Sequence, residues 1–288
     1  MIIDFRIRPP YKSFLDSWIF REREKNPSPV TVSPLHMGLE RYRSFEERSM
    51  KLFMEEMDEA KIDNAVIMGR QSAPQYGSVP NSEVAELTRE YPDRFIGFGG
   101  VNGSDLKVAF AEIDKIVDYG FKGIAMDNGW SEPPLYDDDE RLFPIYEKCS
   151  ELGLILSLTS SIFVGPDLSY SMPGHVQRVA MAFPKLDIVI PHGGWPWTTQ
   201  MCAVAFQNRN VCLVPDFYLN VPNTPGAGEY INAVNYYMQH RLLYASSYPV
   251  RPLKQSIDQF RALPIEKPET LELCLGKNAA RLLKLGAE

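Results

Sequence analysis

The sequence predicts a single-domain α/β protein, a (β/α)8 TIM barrel, on three observations. Its 288 residues lie near the length of one eight-stranded α/β barrel. Eight short apolar runs alternate with amphipathic segments from one end of the chain to the other. No G-x-G-x-x-G follows a strand and no G-x-x-x-x-G-K-[ST] occurs, which removes the two commonest nucleotide-binding signals of a doubly wound open sheet.

Strands are predicted near 2–8, 63–69, 95–101, 121–126, 154–159, 186–191, 210–215 and 241–246. Amphipathic segments fall between them near 45–60, 81–91, 104–118, 139–152, 173–183, 197–208 and 227–239, with further helices near 252–262 and 268–284. In the first strand Ile2-Ile3-Asp4-Phe5-Arg6-Ile7-Arg8 alternates, so Arg6 and Arg8 share a face at its C-terminal end. A loop of unusual length follows at 9–43, with Pro27, Pro29, Pro34 and His36, and a barrel would place it over the active-site face. Ser44-Phe45-Glu46-Glu47 has the pattern of a capping box opening the next helix, whose stripe Phe45, Met50, Phe53, Met54 and Met57 belongs to the core.

In an α/β barrel, chemistry sits at the C-terminal strand ends. In strand order that ring holds Arg6 and Arg8, then Arg70, Asp127, Thr159, His192, Asp216 and Ser247.

The composition, 44% hydrophobic and 23% charged, is that of a globular protein, and no internal repeat or low-complexity segment appears. A formal charge of -7 argues against nucleic-acid or anionic-membrane binding, which draw on positive patches. Asp4, Arg6 and Arg8 interrupt the N-terminal apolar stretch, which excludes a signal peptide there. The uncharged run Leu152 to Gly165 is too short to span a bilayer, so a cytoplasmic protein is expected. Cys149, Cys202, Cys212 and Cys274 are scattered, without a C-x-x-C pair, and read as reduced packed thiols. A homodimer is the default assembly.

Several segments resemble the amidohydrolase-2 branch of the amidohydrolase superfamily, the group that includes aminocarboxymuconate-semialdehyde decarboxylase. They are the opening Ile3-Asp4-Phe5-Arg6-Ile7-Arg8, Tyr91-Pro92-Asp93-Arg94-Phe95-Ile96-Gly97-Phe98, Gly120-Phe121-Lys122-Gly123-Ile124, Pro191-His192-Gly193-Gly194 and Gly276-Lys277-Asn278-Ala279-Ala280-Arg281-Leu282-Leu283. The resemblance implies a divalent metal held by two histidines of strand one, a histidine ending strand five and an aspartate after strand eight. Those positions correspond here to Arg6, Arg8, Thr159 and Ser247, so no metal or other cofactor is expected at the usual place. A zinc-type ion at a rearranged site of Asp127, His175, His192 and Asp216 is the alternative.

Guanidinium groups offer a planar fork of donors suited to carboxylates and developing oxyanions. Arg6 and Arg8, with Arg70 and Arg251, are therefore candidate ligands of an anionic substrate, against a bland reading as structural ion pairs with Asp4, Asp127 or Asp216. His192 is the candidate general acid or base, with Asp127 or Asp216 orienting it or activating water. Thr159, Ser247 and Tyr248 are candidate substrate contacts, and Trp130, Trp195, Trp197 and Phe163 candidate walls. Three functions are carried forward. The first is a metal-free hydrolase of a small carboxylated substrate such as a lactone, which resembles the family's metal-independent lactonases. The second is a metal-dependent hydrolase or decarboxylase with relocated ligands, and the third an inactive barrel that binds an anionic metabolite.

Overall fold

The structure, a computed structural model, describes residues 1–17, 20 and 42–286. Most of the expected loop 9–43, His36 included, lies outside the described residues. Strands β1 Ile3–Ile7, β2 Asn64–Met68, β3 Phe95–Gly100, β4 Gly123–Met126, β5 Ile155–Leu158, β6 Ile188–Pro191 and β7 Val211–Val214 form one parallel sheet in sequence order. Helices α1 Met50–Glu59, α2 Asn81–Glu90, α3 Leu106–Asp118, α4 Phe143–Leu152, α5 Pro173–Ala182, α6 Thr198–Gln207 and α7 Gly228–Ala233 follow the strands in turn. The chain ends with α8 Leu253–Arg261 and with α9 Pro268–Glu272, which passes through a π-helical turn into α10 Asn278–Leu282. No helix among the described residues is long and apolar enough to cross a membrane.

The expected eighth strand is not regular. Leu242 bridges Leu213, Leu243 N–H donates to Leu213 O (2.9 Å), and Phe5 N–H donates to Tyr244 O (2.9 Å), so the segment joins β7 to β1 and closes the barrel. Its other donors are diverted: Tyr244 N–H goes to Cys274 O (2.9 Å) and Ser246 N–H to Asp4 Oδ1 (3.0 Å). A ladder that loses alternate donors to helix and side chain does not continue as a strand.

Period two sorts the strand residues into layers. Val66, Phe98, Ile155, Val189, Cys212, Val214, Leu243 and Ala245 fill the barrel interior, while Ala65, Ile67, Leu156, Ile188, Ile190 and Leu213 pack outward under the helices. Continuing the interior face by twos leads to Arg70, Asp127, Thr159, Asp216 and Ser247 at the strand ends. β1 departs from this rule. Ile3 and Phe5 face inward, yet Ile7 belongs to the outer layer, because the pairing with β2 shifts by one residue between Asp4 and Ile7. This bulge turns Arg6 and Arg8 into the barrel mouth, as bulges near functional sites commonly do.

The capping-box reading fails. Ser44 bonds to Glu56 through both N–H (2.9 Å) and hydroxyl, while Ser49 caps α1 by accepting Leu52 N–H at 3.3 Å. Only a single turn, Arg43–Glu46, precedes it, and Arg48 at φ 50° separates the two.

Candidate active site

Arg6, His192 and Asp216 form a buried chain of contacts. Arg6 Nη1 faces His192 Nε2 in a short contact, and His192 Nδ1 lies 3.1 Å from Asp216 Oδ1. A guanidinium only donates, so Nε2 must be the accepting nitrogen and Nδ1–H the donor to Asp216. That assignment makes the ring neutral. Burial and then the positive charge of Arg6 push the His192 pKa down to about 4, against the pull of Asp216. Burial would raise the Asp216 carboxyl, but His192 and Arg6 outweigh it and hold the group below the ordinary aspartate value. Asp216 also accepts His192 N–H (3.3 Å) and lies 3.4 Å from Arg6 Nη1. His192, Asp216 and Ser247 all sit at positive φ (64°, 47° and 57°), so three successive strand ends hold backbone conformations rarely adopted by residues with side chains.

A second pair stands opposite. Arg70 Nε donates to Asp127 Oδ2 at 3.0 Å, its guanidinium lies over the Trp130 ring at 4.8 Å, and its Nη1 is buried without a hydrogen-bond partner. Burial would push the Asp127 carboxyl up; Arg70, the Thr159 side chain, Arg6 and Arg8 reverse this and keep it below its usual range. Arg8 has no side-chain hydrogen bond or ion pair among the described residues. Burial, then Arg6 and Arg70, push its guanidinium well below the usual arginine value, and the two aspartates offset this only in part.

Arg6, Arg8, Arg70 and Thr159 are shared by two adjoining compartments of ≈ 20 Å³ each, room for about a water molecule. One adds Phe14, Ser17 and Asp127; the other adds Trp130, Ser161, Phe163, Phe217 and His192. The segment after β1 reaches the mouth because Ser13 is fastened to Glu83 of α2 by N–H and hydroxyl, both at 3.0 Å.

Of the expected site, the structure brings Arg6, Arg8, Arg70, Asp127, Thr159, His192 and Asp216 together. Asp216, and not Asp127, orients His192. Ser247 Oγ is buried at the same end without a hydrogen-bond partner. Two expectations need correction. Tyr248 is fully buried against Tyr42 and Phe53, its hydroxyl 2.8 Å from Ser44 Oγ, behind the cavity wall. Arg251 donates to Gln259 of α8 at 2.7 Å and lines neither compartment. Among the aromatics, Trp130 and Phe163 wall the cavity, whereas Trp195 stacks on Tyr218 and donates to Pro225 O at 2.8 Å, and Trp197 opens α6. Asp4 escaped the sequence reading as a positioning group: its Oδ1 accepts the N–H of Arg6 (3.1 Å) and of Ser246 (3.0 Å), and its Oδ2 is buried without a partner. The bulge that makes this possible leaves no mark in the local pattern.

The amidohydrolase family model matches residues 4–285 of the chain. An uncharacterised TIM-barrel protein from Bordetella bronchiseptica superposes with a TM-score of 0.91 at 38% identity, covering 100% of this chain and 99% of that one. The gamma-resorcylate decarboxylase of Rhizobium radiobacter is 24% identical over 261 residues, 76% of this chain and 79% of its own length. A dihydroxybenzoic acid decarboxylase from Polaromonas sp. JS666, solved with bound manganese, has the same fold at a TM-score of 0.69 and 19% identity, over 99% and 97% of the two chains.

The described donors of this chain do not fit such an ion. No three His, Cys, Asp or Glu side chains come together as a metal cluster among the described residues. His192 Nε2 is taken by Arg6, Asp127 is tied to Arg70, and His175 is engaged outside the cavity by Asp138 (2.5 Å) and by Ser169 O (3.1 Å). The three arginines lining the cavity would also repel a divalent cation. With the barrel, the strand-end ring and the match over residues 4–285 agreeing, the chain belongs to the amidohydrolase family.

Proposed function

We propose that the protein is a hydrolase of a small carboxylated substrate, such as a lactone, working without a bound divalent metal. The observation that carries this is Arg8: a guanidinium inside the barrel mouth, flanked by Arg6 and Arg70, with no anion of its own among the described residues. Buried charge is costly when uncompensated, so a substrate carboxylate or an oxyanion is the partner such a group requires.

The roles then divide by geometry. Arg8 holds the substrate anion, and the two compartments of ≈ 20 Å³ must widen to admit the rest of the molecule. His192 and Asp216 fix Arg6, whose remaining N–H groups are donors for the oxygen that gains charge when water adds to the acyl carbon. Asp127 is the base: it lines the cavity, it is ionised at neutral pH, and His192 has no free lone pair. Water loses a proton to Asp127, its oxygen bonds the acyl carbon, the ring C–O bond breaks, and the proton held by Asp127 passes to the leaving alkoxide to give the hydroxy acid.

Decarboxylation is the second reading, favoured by the names of the relatives. The two separate in one assay, in which carboxylated lactones and hydroxybenzoates are incubated with the enzyme in 18O-labelled water. Hydrolysis gives ring-opened product with one labelled oxygen and no carbon dioxide. Released carbon dioxide would replace the hydrolase with the decarboxylase, and near-stoichiometric zinc or manganese in metal-replete protein would remove the arginine account.

A further inference from the structure

We infer that the site is built for a ligand bearing a single negative charge, and that it discriminates against doubly charged analogues; this rests on the anionic-substrate reading above. Among the described residues five ionised side chains meet at this end of the barrel: Arg6, Arg8, Arg70 and Asp127 line the cavity and Asp216 lies buried behind Arg6, three positive charges less two negative, leaving one positive charge. The remaining described titratable groups at this end do not change the sum. His192 is neutral by its contacts, since one ring nitrogen accepts from Arg6 and the other donates to Asp216. Asp4 lies beneath the arginines: one oxygen accepts two backbone N–H groups, which favours the carboxylate, but the other is buried without a partner, and this burial favours the neutral acid. Burial correspondingly pushes the Asp4 pKa up to about 7.

The excess charge has a location. Arg6 is held by Asp216 and His192, and Arg70 by Asp127 and the Trp130 face, so the charge to be matched is that of Arg8. One carboxylate on Arg8 makes the buried cluster neutral. A second carboxylate would have to lie against Trp130, Phe163, Val164 and Phe217, or against Asp127, and would turn an excess of one positive charge into one of negative charge. Among the described residues the one unpartnered cationic donor on these walls, Arg70 Nη1, belongs to a guanidinium whose charge Asp127 already balances, so the second charge is left uncompensated. The ligand class is therefore a monocarboxylate whose remainder is uncharged.

The test uses matched pairs of probes on the whole chain at pH 6, where Asp4 is protonated: benzoate against isophthalate, and furan-2-carboxylate against furan-2,5-dicarboxylate, by titration calorimetry. In each pair the monoanion is expected to bind at least about tenfold more tightly, a modest share of the cost of an unpaired buried charge. The Arg8→Gln variant, with its fold checked by circular dichroism, should lose the monoanion by a similar factor. A dianion that binds as tightly as its partner overturns the single-charge inference and leaves the anionic-substrate reading standing. No binding by either member of either pair overturns both, and unchanged binding in Arg8→Gln places the anion elsewhere and overturns the inference.

Discussion

Asp4 joins the two sides of the barrel seam through one oxygen, accepting the N–H of Arg6 on β1 and of Ser246 on the closing segment. Asp4→Ala leaves two buried donors unpaired and is expected to destabilise the protein by roughly 2–4 kcal/mol in urea unfolding. Asp4→Asn keeps the accepting oxygen and should cost much less; equal losses in the two variants would show that the acceptor is not what matters. Asp216 is a different case. Asp216→Asn removes the carboxylate shared by Arg6 and His192 and leaves the guanidinium uncompensated, a loss of roughly 3–5 kcal/mol. A change under about 1 kcal/mol would mean that Arg6 does not depend on this pair. His192 should stay neutral well below the usual histidine range, charging only near pH 4, which imidazole nitrogen shifts in an NMR titration would report. A midpoint near 6.5 would refute the Arg6 contact.

At the scale of elements, the ends of β2 and β3 are drawn together by Asn81 at the start of α2. Its side chain accepts Gly100 N–H (2.7 Å) and donates to Gly100 O (3.0 Å). A Cβ on Gly100 would stand 2.6 Å from Arg70 N, and one on Gly69 would stand 2.3 Å from Asn81 Oδ1. Glycine is required at both by close approach. Gly100→Ala should therefore push Arg70 off Asp127 and lower anion binding or turnover by about tenfold or more, while Ala substitution at exposed Gly228, which meets nothing, should not. The same scale explains the failed capping box. Ser44, Glu46 and Glu47 fit the local pattern, but Glu56, one helix later in the chain, takes both polar groups of Ser44 and ends the first turn early. A tertiary partner outbid a local one.

For the molecule as a whole, two buried carboxyls set a pH dependence of stability. Burial raises Asp4 and Asp137 to about 7. Between the unfolded value near 4 and a folded value near 7 the native state holds protons that the unfolded chain has lost, so this stabilisation is full below about pH 4 and declines as pH rises to about 7. Asp4→Asn removes its share of the slope, and its stability relative to the parent should improve steadily across that interval; a constant difference would place the Asp4 pKa near its ordinary value. By itself the sequence determined the strand and helix order, the parallel barrel and the ring of residues at the strand ends, because alternating apolar periods and turn residues are local and strand ends of one barrel converge. It also marked Arg6 and Arg8 as a pair on one face. Only the tertiary structure decided which face that was. Strict alternation would carry them outward with Asp4, opposite Ile3 and Phe5, and the bulge before Ile7 turns them inward. Likewise Tyr248 and Arg251, adjacent in sequence to the ring, belong to the packing behind it. Register, bulges and positive φ arise from how distant segments share hydrogen bonds, and a single strand's pattern carries no record of its partners.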